Sequence, residues 1–179
     1  VSGAMASDDG PPHLLFQTLA SHRPASLGSV SSYLDAMSRR VVVFDGAVGT
    51  NLQLRDLSAD DFGGMALEGC NEMLAITRPD IASELHASFL DVGVDVIETN
   101  TFGAFAVPLA EYGIAERAHE INVAAARLAK DVAGSYDGDR WVAGSIGPGT
   151  KMPSLGHIRF DDLRDAYEVQ ARGLLDRPG

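Results

Sequence analysis

The chain has 179 residues, enough for one domain with a sizeable core, and its 45% hydrophobic and 22% charged residues are ordinary for a globular protein. A formal net charge of −11 excludes the basic surface that a nucleic-acid binder needs, and disfavours an anionic membrane surface as partner. No apolar run approaches the ~20 residues that span a bilayer and no signal-peptide pattern opens the chain, so a cytoplasmic location is expected.

Residues 1–28 are rich in Ser, Ala, Gly and Pro without sustained periodicity and read as a flexible leader. Met5 is a candidate natural start, with the residues before it a candidate expression scar. Residues 29–179 read as the folded part. In "SVSSYLDAMSRR", Val30, Tyr33, Leu34 and Met37 fall at helical spacing and predict a short helix.

From residue 41 a repeating order sets in. "VVVFD" (41–45) is the continuous β-branched and aromatic run of a strand covered on both faces, and "DVIETNTF" (95–102) and "WVAGSIG" (141–147) are shorter versions of it. Three helical segments alternate with these strands. The first opens on Thr77 as cap, Pro79 in the first turn and Asp80, carries Ile81, Leu85, Phe89 and Val92 as one stripe, and stops at Gly93. The second, about 115 to 133, carries Ala118, Ile121, Ala125, Leu128 and Val132. The third follows Asp161 as cap and carries Leu163, Ala166, Tyr167, Ala171 and Leu174. This is βαβ construction with a parallel sheet, and the widest connection, residues 46–76, leaves the C-terminal end of the first strand. That end is where such folds keep their chemistry. Leu175-Asp176 matches Leu90-Asp91, after which a strand begins, so a fourth strand is expected to follow and the chain reads as cut.

Three polar strand exits are candidate site elements. Asp45 ends the first strand, where a carboxylate binds a substrate ammonium, positions a proton, or simply caps the turn. Gly46 and Gly49 permit close backbone approach to a ligand, and Thr50 is a donor, although a ligand-free turn explains "GAVGT" equally well. That loop is neither a P-loop nor the dinucleotide fingerprint. Glu98, Thr99, Asn100 and Thr101 are four polar residues where a buried strand should end, so they either bond each other or face a polar ligand. The third exit, "GSIGPGTKMPSLGH", is glycine-rich with a lone Lys151, and is either a backbone platform or plain loop. Cys70 is the single cysteine and reads as a small hydrophobe. His86, His119 and His157 are isolated, without metal-ligand spacing.

The set "FDGAVGT", "GCNEML…TRPDIASELHASFLDVGVDVIETNTFG", "EINVAAARLA" and "AGSIGPGTKMPSLGH" resembles the homocysteine-binding barrel of the cobalamin-dependent methionine synthases, within the homocysteine S-methyltransferase family, from about Val41 to Asp176. The resemblance implies an α/β fold: the first three βα units of a (β/α)8 TIM barrel with an incomplete parallel sheet. It implies transfer of a methyl group from methylcobalamin, recharged by 5-methyltetrahydrofolate, to zinc-bound homocysteine, giving methionine. It places the homocysteine amino group on Asp45, lines the amino-acid pocket with Gly46, Gly49 and Thr50, and sets Glu98 and Asn100 at the mouth of the second strand. The family's zinc ligands are three cysteines on late strands, and this chain has none of them. Zinc and cobalamin are therefore expected in the parent protein and neither bound here, with no catalytic or metal residue in this chain. The partners expected are homocysteine, the folate and cobalamin modules of the parent, and a second copy of this chain through exposed sheet edges. A chain inactive by itself is the leading expectation. The rivals are a non-catalytic small-ligand-binding or scaffold half-barrel, and a phosphate-binding barrel fragment.

Overall fold

Alternating apolar runs and amphipathic stripes give an α/β architecture in the computed structural model, which describes residues 30–176. The leader expected over residues 1–28 lies outside the described residues. In chain order the elements are α1 (Val30–Arg39), α2 (Val48–Gln53), α3 (Ala59–Phe62), α4 (Leu74–Thr77), α5 (Pro79–Asp91), β1 (Val96–Glu98), α6 (Ala106–Leu109), α7 (Ala118–Ala133), β2 (Trp141–Ala143) and α8 (Phe160–Leu175), with short 3-10 turns between some of them. Strands β1 and β2 pair in parallel, with Val96 opposite Trp141, Ile97 opposite Val142 and Glu98 opposite Ala143.

The first expected strand is reduced to one parallel bridge, Phe44 with Val96. Two aspartate side chains explain the shortening. Around the bridge the ladder is regular: Val96 N donates to Val43 O at 3.1 Å and Asp45 N to Val96 O at 3.0 Å. The next rung of a parallel ladder would run from Glu98 N to the Asp45 carbonyl. Instead Glu98 N donates to Asp45 Oδ1 at 2.9 Å. At the other end Val43 N donates to Asp95 Oδ2 at 2.9 Å, where a backbone carbonyl would otherwise accept. Carboxylates thus take the rungs at both ends, and two regular strands stand where three were expected.

Helix α5 ends as its sequence predicts. Gly93 has φ +94°, its N–H reaches Leu90 O at 3.0 Å, and Val94 N reaches Phe89 O at 3.3 Å, a Schellman stop. Its start differs from expectation: Arg78 takes the cap position, while Thr77 ends α4 and donates Oγ1 to Met73 O. Ile81 and Leu85 are buried but Val92 is exposed, because it lies past the last helical turn. Helix α8 likewise begins one residue before Asp161, with Arg159 as cap. In α1, Leu34 and Met37 are exposed, and the helix is held instead by Ala36, packed with Val96 and Trp141, and by Tyr33 edge-on to Trp141.

Helix α7 packs between α5 and α8 and against both strands. Its alanines, Ala125, Ala126, Ala129 and Ala133, are buried and let it approach closely, and Ala129 and Ala133 join Leu90, Val94 and Ile97 in one core. The long connection 46–76 is not loose: it folds as α2, α3 and α4 over a core of Leu52, Phe62, Leu74, Ile81 and Leu85. Among the described residues no helix is long and apolar enough to cross a membrane.

Candidate functional site

The ladder that aligns the strands also brings their C-terminal exits together. Behind Glu98, Thr99 N donates to Ala143 O at 2.9 Å, holding the 99–101 segment beside the exit of β2. Thr101 Oγ1 donates to Ser145 O at 2.8 Å and Ser145 N donates to Thr99 Oγ1 at 3.0 Å. The single hydroxyl proton of Thr101 being so used, Thr99 is the donor in the 2.6 Å contact between the two hydroxyls. Of the two alternatives for these threonines, mutual bonding is present, and it does not remove them from the cavity, which both line. Ser145 Oγ also donates to Glu98 Oε2 at 2.9 Å.

A cavity of about 290 Å³ opens above these exits. Gly46, Gly49, Glu98 and Asn100 line it, together with Thr99, Thr101, Ser145 and Glu72. Asp45 lies directly beneath through its bond to Glu98 N. Thr50 is exposed on α2 and is not brought to the cavity. A Cβ at Gly46 or Gly49 would meet nothing within 4 Å, so open volume faces the backbone there. The conformational strain falls between them, at Ala47: with φ 52° it is the one non-glycine residue with positive φ among the described residues.

Two residues of the connection were not singled out as site residues. Asn71 O accepts from Asn100 Nδ2 at 2.6 Å, and Glu72 Oε1 accepts from Gly103 N at 2.8 Å. These bonds lace the 70–72 turn to the 100–103 loop. Their only trace in the sequence is the polar pair inside the apolar context of "GCNEML".

Electrostatically the cavity is acidic. Glu72 and Glu98 line it, Asp45 underlies it, and no Lys, Arg or His is among the lining residues. Burial pushes the Asp45 carboxyl up to about 6, against the pull of the Glu98 amide and with the Glu98 charge adding to the rise. Its Oδ2 is buried without a hydrogen-bond partner. Such a site favours a small ligand that carries an ammonium and repels a phosphate. A larger open groove of about 1010 Å³ runs along α7 toward Pro79 and Ser83 of α5; it shares no residue with the strand-end cavity, and Arg127 stands in its lining beside Glu120, Asp131 and Asp176, so it is not uniformly acidic.

The sequence matches the family described as homocysteine S-methyltransferase over residues 42–178. The chain belongs to the homocysteine S-methyltransferase family. Among curated relatives it is 49% identical over 146 residues to the methionine synthase of Mycobacterium tuberculosis (strain ATCC 25618 / H37Rv), and 44% identical over 146 residues to that of Mycobacterium leprae (strain TN). Each match covers 80% of this chain, which spans 12% of the length of either relative. Two crystal structures of the homocysteine methyltransferase MmuM from Escherichia coli share the fold. The oxidized form gives a TM-score of 0.62 at 19% identity over 78% of this chain and 51% of that one; the metallated form gives 0.63 at 20% over 79% and 52%.

Zinc, which the resemblance to this methyltransferase family implies, does not fit the described residues. No three His, Cys, Asp or Glu side chains among them come together as a metal site. Cys70 is fully buried, and burial with the neighbouring Glu72 charge pushes its thiol up to about 11, so the thiolate a zinc ion requires is disfavoured. The strand-end cavity has room for an amino acid but not for a corrinoid.

Proposed function

We propose that this chain is part of the homocysteine-binding barrel of a methionine synthase and that the strand-end cavity takes the amino-acid end of homocysteine. The observation that carries the reading is the acidic cavity itself: Glu98 and Glu72 at its wall and the unpartnered Asp45 Oδ2 beneath it, with no cationic residue among its lining. An α-ammonium is the ligand group that would relieve this charge. Gly46 and Gly49 leave volume for the Cα end of the ligand, and Asn100, tied to Asn71 O, fixes the opposite wall. Thr50, exposed on α2, has no part in this arrangement.

On this reading the whole protein methylates homocysteine to methionine, with methylcobalamin as donor and 5-methyltetrahydrofolate recharging it on other modules. The described residues bind and orient the amino-acid end; they supply no ligand set to activate the sulfur, so the chain is inactive alone. Self-association belongs to the same proposal. Val41 is 82% exposed, Val43 48% and Phe44 41%, and pairing with a second copy would cover this apolar edge.

Calorimetry with homocysteine and with N-acetylhomocysteine, each with and without zinc, tests the reading. Weak zinc-independent binding of homocysteine alone is expected. Equal binding of the N-acetyl compound, which lacks the ammonium, or stoichiometric zinc uptake would overturn it. Preferential binding of inorganic phosphate would instead favour a phosphate-binding fragment.

A further inference from the structure

Two side-chain amides lie fully buried in helices that carry no site residue. Gln170 of α8 and Asn122 of α7 are both 0% exposed. Each uses its donor end on the loop that follows β1: Gln170 Nε2 donates to Thr101 O at 2.7 Å, and Asn122 Nδ2 donates to Ala104 O at 2.6 Å and to Ala118 O at 2.7 Å. The acceptor end of each, Gln170 Oε1 and Asn122 Oδ1, is buried with no partner. A buried acceptor without a donor is a loss that an apolar residue of the same shape would avoid. Helix stability therefore does not account for either residue, whereas the loop contact does.

The approach of the two helices is built for the same purpose. A Cβ on Gly173 would lie 2.8 Å from Asn122 Cβ and 2.8 Å from His119 O, so only glycine lets α8 close on α7 at this turn. Gly173 follows Gln170 by less than one helical turn, so the close crossing sets how far Gln170 reaches toward Thr101.

We propose that Gln170 and Asn122 are positioning residues for the cavity: gripping Thr101 O and Ala104 O from behind, they fix the height of the 100–104 loop and hence the place of Asn100. The front of the loop is held by Glu72 on Gly103 N and by Asn71 O on Asn100 Nδ2. With both grips in place the wall is preorganised before any ligand arrives. The inference rests on reading the cavity as the amino-acid site, but its first readout needs no ligand.

The test is Gln170→Met in the 179-residue chain. Methionine keeps the volume, removes the orphaned acceptor and leaves Thr101 O still paired with Ala104 N, which donates to it at 3.0 Å. Thermal stability is expected to be unchanged or higher, while the amides of residues 101–105 exchange with solvent about tenfold faster, the change that one hydrogen bond of ordinary net worth supports. Homocysteine affinity is expected to fall in parallel. Unchanged loop exchange with lowered melting temperature would show Gln170 to be merely structural and overturn the inference. Faster loop exchange in a chain whose wild type binds no homocysteine would retain the positioning role and remove the homocysteine reading. Should the variant not fold, the wild type decides: the Gln170 Nε2 protons are expected to be slowly exchanging in its amide spectrum, and free exchange there overturns the proposal.

Discussion

Replacing Asp45 by asparagine separates the charge of this carboxylate from its shape. Asparagine Oδ1 can still accept from Glu98 N, so the bond that ends the first bridge survives. What is lost is a charge that burial holds unfavourably. The Asp45 pKa moves from 3.8 to about 6 on folding, and at ~1.36 kcal/mol per pKa unit the full penalty of ionisation is about 3 kcal/mol. The group is only half-buried, and solvent screening brings this to about 1–2 kcal/mol. Because the folded pKa lies above the unfolded one, the native state binds more protons between about pH 4 and 6. Stability from this group is therefore present below the unfolded pKa, falls as pH rises through that window, and stays low above it. His86 titrates in the opposite sense: buried and pushed down to about 4 by desolvation, it contributes stability above its unfolded value that is lost as pH falls. The two slopes oppose each other in the wild type, so the readable quantity is the difference between variant and wild type. Urea unfolding at pH 4, 5, 6 and 7.5 should show Asp45→Asn gaining about 1 kcal/mol on the wild type between the lowest and the highest pH. At the same time its homocysteine affinity should fall at least tenfold. A variant less stable than the wild type at pH 7.5, by the same margin at every pH, would refute the argument that Asp45 is a strained, ligand-directed carboxylate.

Further outcomes follow from single residues. Ala47→Gly should stabilise the chain by about 0.5–1 kcal/mol in urea unfolding, since the left-handed backbone at φ 52° strains any residue with a Cβ. Gly147→Ala should cost about 1–3 kcal/mol, because its Cβ would sit 2.6 Å from Phe102 O, a backbone atom that cannot step aside cheaply. His86→Leu should flatten the loss of stability below pH 6.5, as its Nδ1 is buried without a partner. Light scattering at micromolar concentration should report a dimer that Val41→Lys returns to monomer; a wild-type monomer would remove the edge-pairing proposal.

What could be read from the amino acids and what could not divides along physical lines. Helices α5 and α7 were legible because their buried faces are apolar at helical spacing, and Gly93 announced its stop. The parallel arrangement of β1 and β2 followed from alternation with those helices. The shortening of the first strand was hidden, since an aspartate at a strand end gives no sign that its side chain will take a backbone donor 53 residues away. Glu98 and Asn100 stood out as polar residues at a buried exit, and they do line one cavity with Gly46 and Gly49. Thr99 and Thr101 stood out for the same reason; they line the cavity too, with their hydroxyls bonded to each other. Asn71 and Glu72 were missed because their partners lie 29 and 31 residues on, across two loops. Gln170 and Asn122 were missed because a polar residue within a helix reads as surface until the neighbouring helix is placed.

Amide chemical-shift mapping of the 179-residue chain against homocysteine addresses the core of the account. The reading requires saturable shifts, on the order of millimolar in affinity, confined to Gly46–Gly49, Asn71–Glu72, Glu98–Phe102 and Ser145 around the cavity, and indifferent to added zinc. Shifts concentrated instead along the α5–α7 groove, or appearing only once zinc is added, would contradict it.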